Sequence, residues 1–125
     1  MELTVAQEQA RVPVTVMHVD GSLDATSSDP FQARALEAID AGHHDILLDL
    51  QKVPFVSSAG LRAINTIYTR LNPDNAGARV LTGKFKSPHV KLLNPTPRVL
   101  QVLQTAGYDM FLEIHHNLKD ALSSF

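Results

Sequence analysis

Apolar and polar positions follow two periods along this chain, and the switches between them mark out strands and helices. Val12 to Val19 is β-branched and apolar-rich and stops at Asp20-Gly21, which predicts a strand and a turn. Asp29-Pro30 then opens a helix, because aspartate can accept backbone N–H bonds as a cap and proline suits the first helical position. Phe31, Ala35, Ala38 and Ile39 share one face of that helix, and Gly42 supplies the stop. Ile46-Leu47-Leu48-Asp49-Leu50 is almost continuously apolar, the pattern of a strand covered on both faces. Helical spacing returns at Leu61, Ile64, Ile67, Tyr68 and Leu71. It ends at Asn72-Pro73, since the residue before proline leaves the α region.

Residues 73–88 read as a long connection, with a hairpin-like piece at Arg79-Val80-Leu81-Thr82. Val90 to Leu93 predicts another strand. Thr96-Pro97 repeats the cap-then-proline signal before a helix whose Val99, Leu100, Leu103 and Ala106 face the core, closed by Gly107. Met110 to Ile114 predicts the last strand, and Asn117 caps a terminal helix that turns Leu118, Ala121, Leu122 and Phe125 inward. Strand-helix-strand units in this order predict an α/β fold: a single domain over 1–125, its core at about 12–123. They imply a four- to five-stranded, mostly parallel sheet with about four helices and right-handed crossovers. In such sheets a site tends to lie at the carboxyl ends of the strands.

Composition narrows the field without naming a function. The 125 residues are 44% apolar and 19% charged, ordinary for a globular domain. A net charge of −2 gives no global sign of nucleic-acid or membrane binding. No cysteine is present, which removes disulfides, thiolate metal sites and a cysteine nucleophile and suits a reducing cytoplasm. Met1-Glu2-Leu3-Thr4 lacks a basic stretch followed by an apolar core, so no secretory leader is expected. No apolar run approaches the roughly 20 residues that cross a bilayer. Charge is uneven, however: between Asn75 and Tyr108 there are five basic residues (Arg79, Lys84, Lys86, Lys91, Arg98) and no acidic one. That stretch reads either as scattered solvated cations or as a basic face turned to a phosphate or an acidic partner.

The most informative segment runs from Asp49-Leu50 through Val53-Pro54-Phe55-Val56-Ser57-Ser58-Ala59-Gly60-Leu61, from the end of a buried strand into a helix. A serine there lies beside free backbone N–H groups and the positive end of the helix dipole, so a phosphate on its hydroxyl would be tolerated. Capping by Ser57 or Ser58, worth about 1 kcal/mol, explains a serine there equally well.

Three pieces in order resemble the STAS domain (sulphate transporter and anti-sigma factor antagonist). They are Gly21-Ser22-Leu23-Asp24-Ala25, the Asp49–Leu61 segment, and Asn94-Pro95-Thr96-Pro97 before Val99-Leu100. The likeness covers roughly 12–123, is carried mainly by the middle piece, and is greatest to free-standing bacterial anti-sigma factor antagonists. The family pattern is an Asp, the phosphoacceptor Ser, a small residue, then Gly-Leu. Matching Gly60-Leu61 puts the acceptor at Ser58, with Ser57 as the alternative acceptor standing in the Asp position. The resemblance implies a partner-binding surface of Asp24, Ser57, Ser58, Ala59 and Gly60. It implies as partner an anti-sigma factor that is itself a serine kinase, ended by phosphorylation from ATP and reset by a phosphatase. The protein would be the substrate of that chemistry, not an enzyme. Asp24 has a second, local role open to it in a turn after Gly21. The link between the Leu71 helix and the Val90 strand looks about ten residues longer than the family's, as a special partner element or as a tolerated surface insertion.

Other signals are weaker. Gly77 to Lys84 fails as a P-loop, with five residues between Gly77 and Gly83 and Phe85 where Ser or Thr should hold magnesium. Neither His43-His44 nor His115-His116 forms a two-ligand metal site, since neighbours point apart. No nucleophile elbow occurs, and only Phe85 interleaves the basic stretch, so a hydrolase or a single-strand binder has little support. No cofactor or metal is expected. Two alternatives remain beside the phospho-switched antagonist: an interaction module without phosphate turnover, and a small-molecule or nucleotide binder using the strand ends and the basic stretch.

Overall fold

The computed structural model describes residues 1–72 and 86–125. Its centre is β3 (Ile46–Lys52), flanked by β2 (Pro13–Asp20) and β4 (Val90–Leu93), both parallel to it. Ile46, Leu47, Leu48 and Leu50 are fully buried, so this strand is covered on both faces as its apolar run predicts. A short β5 (Ile114–His115) continues the parallel set, and β1 (Glu2–Gln9) adds an antiparallel edge beside β2. The strands lie in sequence order across the sheet.

Each parallel crossover therefore advances in the same direction, and right-handed connections then place all three intervening helices on one face. These are α1 (Ser28–Asp40), α2 (Ser58–Leu71) and α3 (Pro97–Thr105). Phe31, Ala35, Ile64, Ile67, Tyr68, Val99 and Leu103 pack there against Met17, Val19, Leu48, Leu50 and Leu92. A terminal helix, α4 (Leu118–Ser123), lies on the other face, where Ala121 joins Val14, Val16, Leu47 and Leu93. The architecture is the expected mostly parallel α/β sheet, with five strands and four helices among the described residues.

Several local expectations need correction. The periodicity missed β1: its Leu3 and Val5 give way to Gln7, Glu8 and Gln9, and an edge strand with one partner needs little apolar surface. Helix α1 begins at Ser28, not after an Asp29 cap. The Asp24 carboxylate already accepts from the N–H groups of Thr26 and Ser27, and Ser28 N–H bonds to Asp24 O at 2.9 Å, so the turn starts earlier. The predicted strand from Met110 to Ile114 is mostly something else. Gly107, at φ +80°, leads into a single 3₁₀ turn at Tyr108–Met110, and the ladder resumes only at Ile114. Phe111 is buried there by ring contacts with Tyr68 and Tyr108, with centroids 4.7 and 5.0 Å apart. Ala106 and Leu118 are exposed, not inward. Of the long connection, 73–85 lies outside the described residues, and with it the hairpin-like piece and the Gly77–Lys84 stretch. At its end the buried Ser87 Oγ accepts from the N–H groups of His89 and Val90, leading the chain into β4.

Candidate functional site

After Lys52 the chain turns and runs alongside the segment that follows β2. Val53 is buried, and Val56 forms an isolated parallel bridge with Leu23. Leu23 N–H donates to Phe55 O at 3.0 Å, and Ser57 N–H donates to Leu23 O at 2.9 Å. These bonds hold the Asp24 turn against the start of α2 at the carboxyl ends of β2 and β3, so two segments 34 residues apart in sequence form one surface.

Ser57 is the N-cap of α2. Its backbone is extended (φ −85°, ψ 177°), and its Oγ accepts from Gly60 N–H at 3.4 Å. Ser58 is the first helical residue and is exposed, while Ala59 is half-buried. Gly60 is buried and points inward. A Cβ on it would meet Leu23 O at 2.7 Å and Val56 Cγ1 at 2.9 Å, so only glycine lets α2 approach the bridge so closely. Its contribution to the site is this close approach.

Asp24 is half-buried, and its Oδ1 accepts from Thr26 Oγ1 at 2.8 Å, Thr26 N–H at 3.0 Å, and the Ser27 N–H and Oγ at 3.2 Å each. Hydrogen bonds from Thr26, hydroxyl first and then amide, hold this carboxyl below the usual carboxylate range. The local turn role open to Asp24 is therefore present in the structure.

The third part of the surface comes from α3. Thr96 Oγ1 caps that helix by accepting from Val99 N–H and reaches Val53 O at 3.4 Å, which sets the helix start beside the β3–α2 turn. Phe55 is 37% exposed, and the Arg98 guanidinium lies over its ring, 5.2 Å from the centroid. At the strand ends proper, Glu2, Thr4, Asp20, Gln51 and Lys52 line a recess around His18, whose Nδ1 lies 2.7 Å from Asp49 Oδ2. With three carboxylates and one lysine this recess has the wrong sign for nucleotide phosphates. His43, His44 and His116 are exposed; His115 pairs with Glu113 at 3.1 Å.

The family model described as "STAS domain" matches residues 4–121. The chain belongs to the STAS domain family. The match takes in β1, beyond the 12–123 span that the motifs alone suggested. This STAS domain is similar in structure to an anti-sigma factor antagonist from Mycobacterium paratuberculosis, with 19% identity, 98% and 93% of the two chains covered and a TM-score of 0.75. It is also similar to the anti-sigma factor antagonist SpoIIAA in its unphosphorylated form (18% identity, 95% and 92% covered, TM-score 0.63). The Bacillus cell fate determinant SpoIIAA in its phosphorylated form matches likewise (19% identity, 96% and 96% covered, TM-score 0.66). At such identities these matches show a shared fold. No curated protein matches the chain.

Within the STAS domain, contacts from Gly21, Leu23 and Thr96 bring parts of all three motif pieces to the β3–α2 turn. Phe55 and Arg98 were the omission: Phe55 stood within the key segment as one more apolar letter, and Arg98 as one of five scattered cations. They are 43 residues apart, and no spacing rule joins them; only the Thr96–Val53 contact does.

Proposed function

We propose that this STAS domain is an anti-sigma factor antagonist switched by phosphorylation of Ser58. Unphosphorylated, it docks in the cytoplasm onto an anti-sigma factor serine kinase and so frees the sigma factor for transcription. The kinase transfers phosphate from ATP to Ser58, the complex ends, and a phosphatase resets the switch. The chain is substrate and docking partner throughout and does no catalysis of its own.

The observation that carries this reading is the exposed Ser58 hydroxyl at the first residue of α2, beside the tethered Asp24 turn. Ser57 does the capping, so Ser58 Oγ is not needed for it. A phosphate there adds about −1.5 to −2 charge next to the positive end of a helix, which tolerates it without unfolding. What changes is the outer surface. The phosphorylated and unphosphorylated forms of SpoIIAA, which share the fold, give the reading further support.

The test is incubation with purified anti-sigma factor kinases of the source organism and ATP, with the phosphate mapped by mass spectrometry. Phosphate on Ser58 that disappears in Ser58→Ala is the expected result, with Ser57→Ala still accepting phosphate. An active kinase that binds the chain but places no phosphate on it would leave an interaction module without phosphate turnover.

A further inference from the structure

We propose that Phe55 and Arg98 anchor the docking surface, and that the protein partner meets them with an apolar recess rimmed by carboxylates. This rests on the docking role proposed above and specifies the chemistry of what docks.

Phe55 lies between buried Val53 and buried Val56, its carbonyl is held by Leu23 N–H, and 37% of its surface stays exposed. Covering that apolar surface with a partner is favourable. Aromatic and arginine side chains are enriched at the centres of protein interfaces. Here the guanidinium already lies over the ring, so little side-chain freedom remains to be lost on docking.

Charge gives the sign of the partner. Neither α2 (SAGLRAINTIYTRL) nor α3 (PRVLQVLQT) contains an acidic residue. Arg62 lies one turn beyond Ser58 on α2 and is exposed. Among the described residues no carboxylate is within ion-pair distance of Arg62 or Arg98, whereas Arg70, at the far end of α2, is paired with Asp40 at 3.0 Å. Oδ1 of the nearby Asp24 accepts from Thr26 and Ser27. The α2–α3 side of the surface, unlike the acidic recess at the strand ends, complements acidic groups. The same sign explains the switch: a phosphate dianion at Ser58 would offset these cations and repel an acidic rim.

The experiment measures binding of the purified anti-sigma factor kinases to the wild type, Phe55→Ala, Arg98→Ala, Arg98→Glu and Ser58→Asp, at low and high salt. The expected result is a loss of about 30-fold or more for Phe55→Ala, the level of an interface hot spot. Arg98→Glu should weaken binding more than Arg98→Ala, salt should weaken the wild type, and melting temperatures should stay near wild type. Arg11→Glu, at the opposite end of β2, should change nothing. If Phe55→Ala and Arg98→Glu bind as wild type while Ser58→Asp does not, this anchor is wrong and the docking function stands. Tighter binding by Arg98→Glu would mean a basic partner and also overturn the proposal. Self-association of the wild type that is lost in Phe55→Ala would assign the patch to a second copy and overturn it too. If no kinase binds the wild type, the proposed function fails and this inference with it.

Discussion

Lys91 and Arg98 stand seven residues apart in the same acid-free stretch, and the fold uses their charges in opposite ways. Lys91 is on β4 and only 2% exposed. Its Nζ lies 3.2 Å from Glu113 Oε2, donates to Ser124 O at 2.7 Å and to Ser124 Oγ at 3.0 Å, and sits 4.8 Å from the Phe125 ring centroid. Each contact comes from the segment after α3, so this cation ties Glu113, Ser124 and Phe125 to the sheet. Arg98 has an aromatic face beneath it and no carboxylate in ion-pair range among the described residues. A desolvated charge must be satisfied internally, while a hydrated one is available to a partner. The basic stretch is thus one structural cation, Lys91, and two surface cations, Lys86 and Arg98, with Arg79 and Lys84 outside the described residues. Changes near Lys91 should act on stability, and changes near Arg98 and Ser58 on binding.

The largest stability effect should come from Lys91→Ala. It leaves a space beneath Phe125 and frees Ser124, at a cost of about 3 kcal/mol, seen as a Tm lowered by roughly 10 °C. A near-wild-type Tm would break the contrast. Gly60→Ala joins the two regions, because it lies at the site yet is buried. Its methyl group would meet the backbone at Leu23 O, so we expect a loss of about 1–3 kcal/mol in denaturant unfolding. Ser57→Ala removes the N-cap of α2 and should cost about 1 kcal/mol, whereas Ser58→Ala should stay within about 0.5 kcal/mol.

The smallest effect is pH-dependent and belongs to Asp24. Its folded-state pKa is lowered, chiefly by the Thr26 hydroxyl, so the stabilisation is complete above the usual carboxylate range. It fades as pH falls through the lowered folded value. Asp24→Asn should therefore melt slightly below wild type at neutral pH, with the gap closing in acid. A gap independent of pH would mean that the side chain's shape matters and its charge does not.

The contrast also explains what could be read from the sequence. The buried strands and crossover helices were legible because burial on a fixed face imposes a period, as at Ile46–Leu50 and Ile64–Tyr68. The β3–α2 turn was legible because a helix start calls for a capping residue, Ser57 or Ser58, and because Gly60-Leu61 resembles the STAS pattern. The choice of Ser57 as cap and the close approach at Gly60 rest on tertiary contacts with Leu23 and Val56. β1 was not legible, since an edge strand can alternate weakly. Nor was the fate of the cations: Lys91 and Arg98 look alike as letters, and only tertiary contacts with Glu113, Ser124 and Phe55 separate them. The 3₁₀ turn at Tyr108–Met110 was hidden for the same reason, because an apolar run shows that residues are buried but not by which backbone path.

The central claim is that the Ser58 surface is built for docking and not for stability. It is tested most directly by measuring kinase affinity and melting temperature on the same samples of wild type and Ser58→Asp. Ser58→Asp should lose binding while keeping a Tm close to wild type. Retained binding, or a Tm lowered as far as in Lys91→Ala, would contradict it.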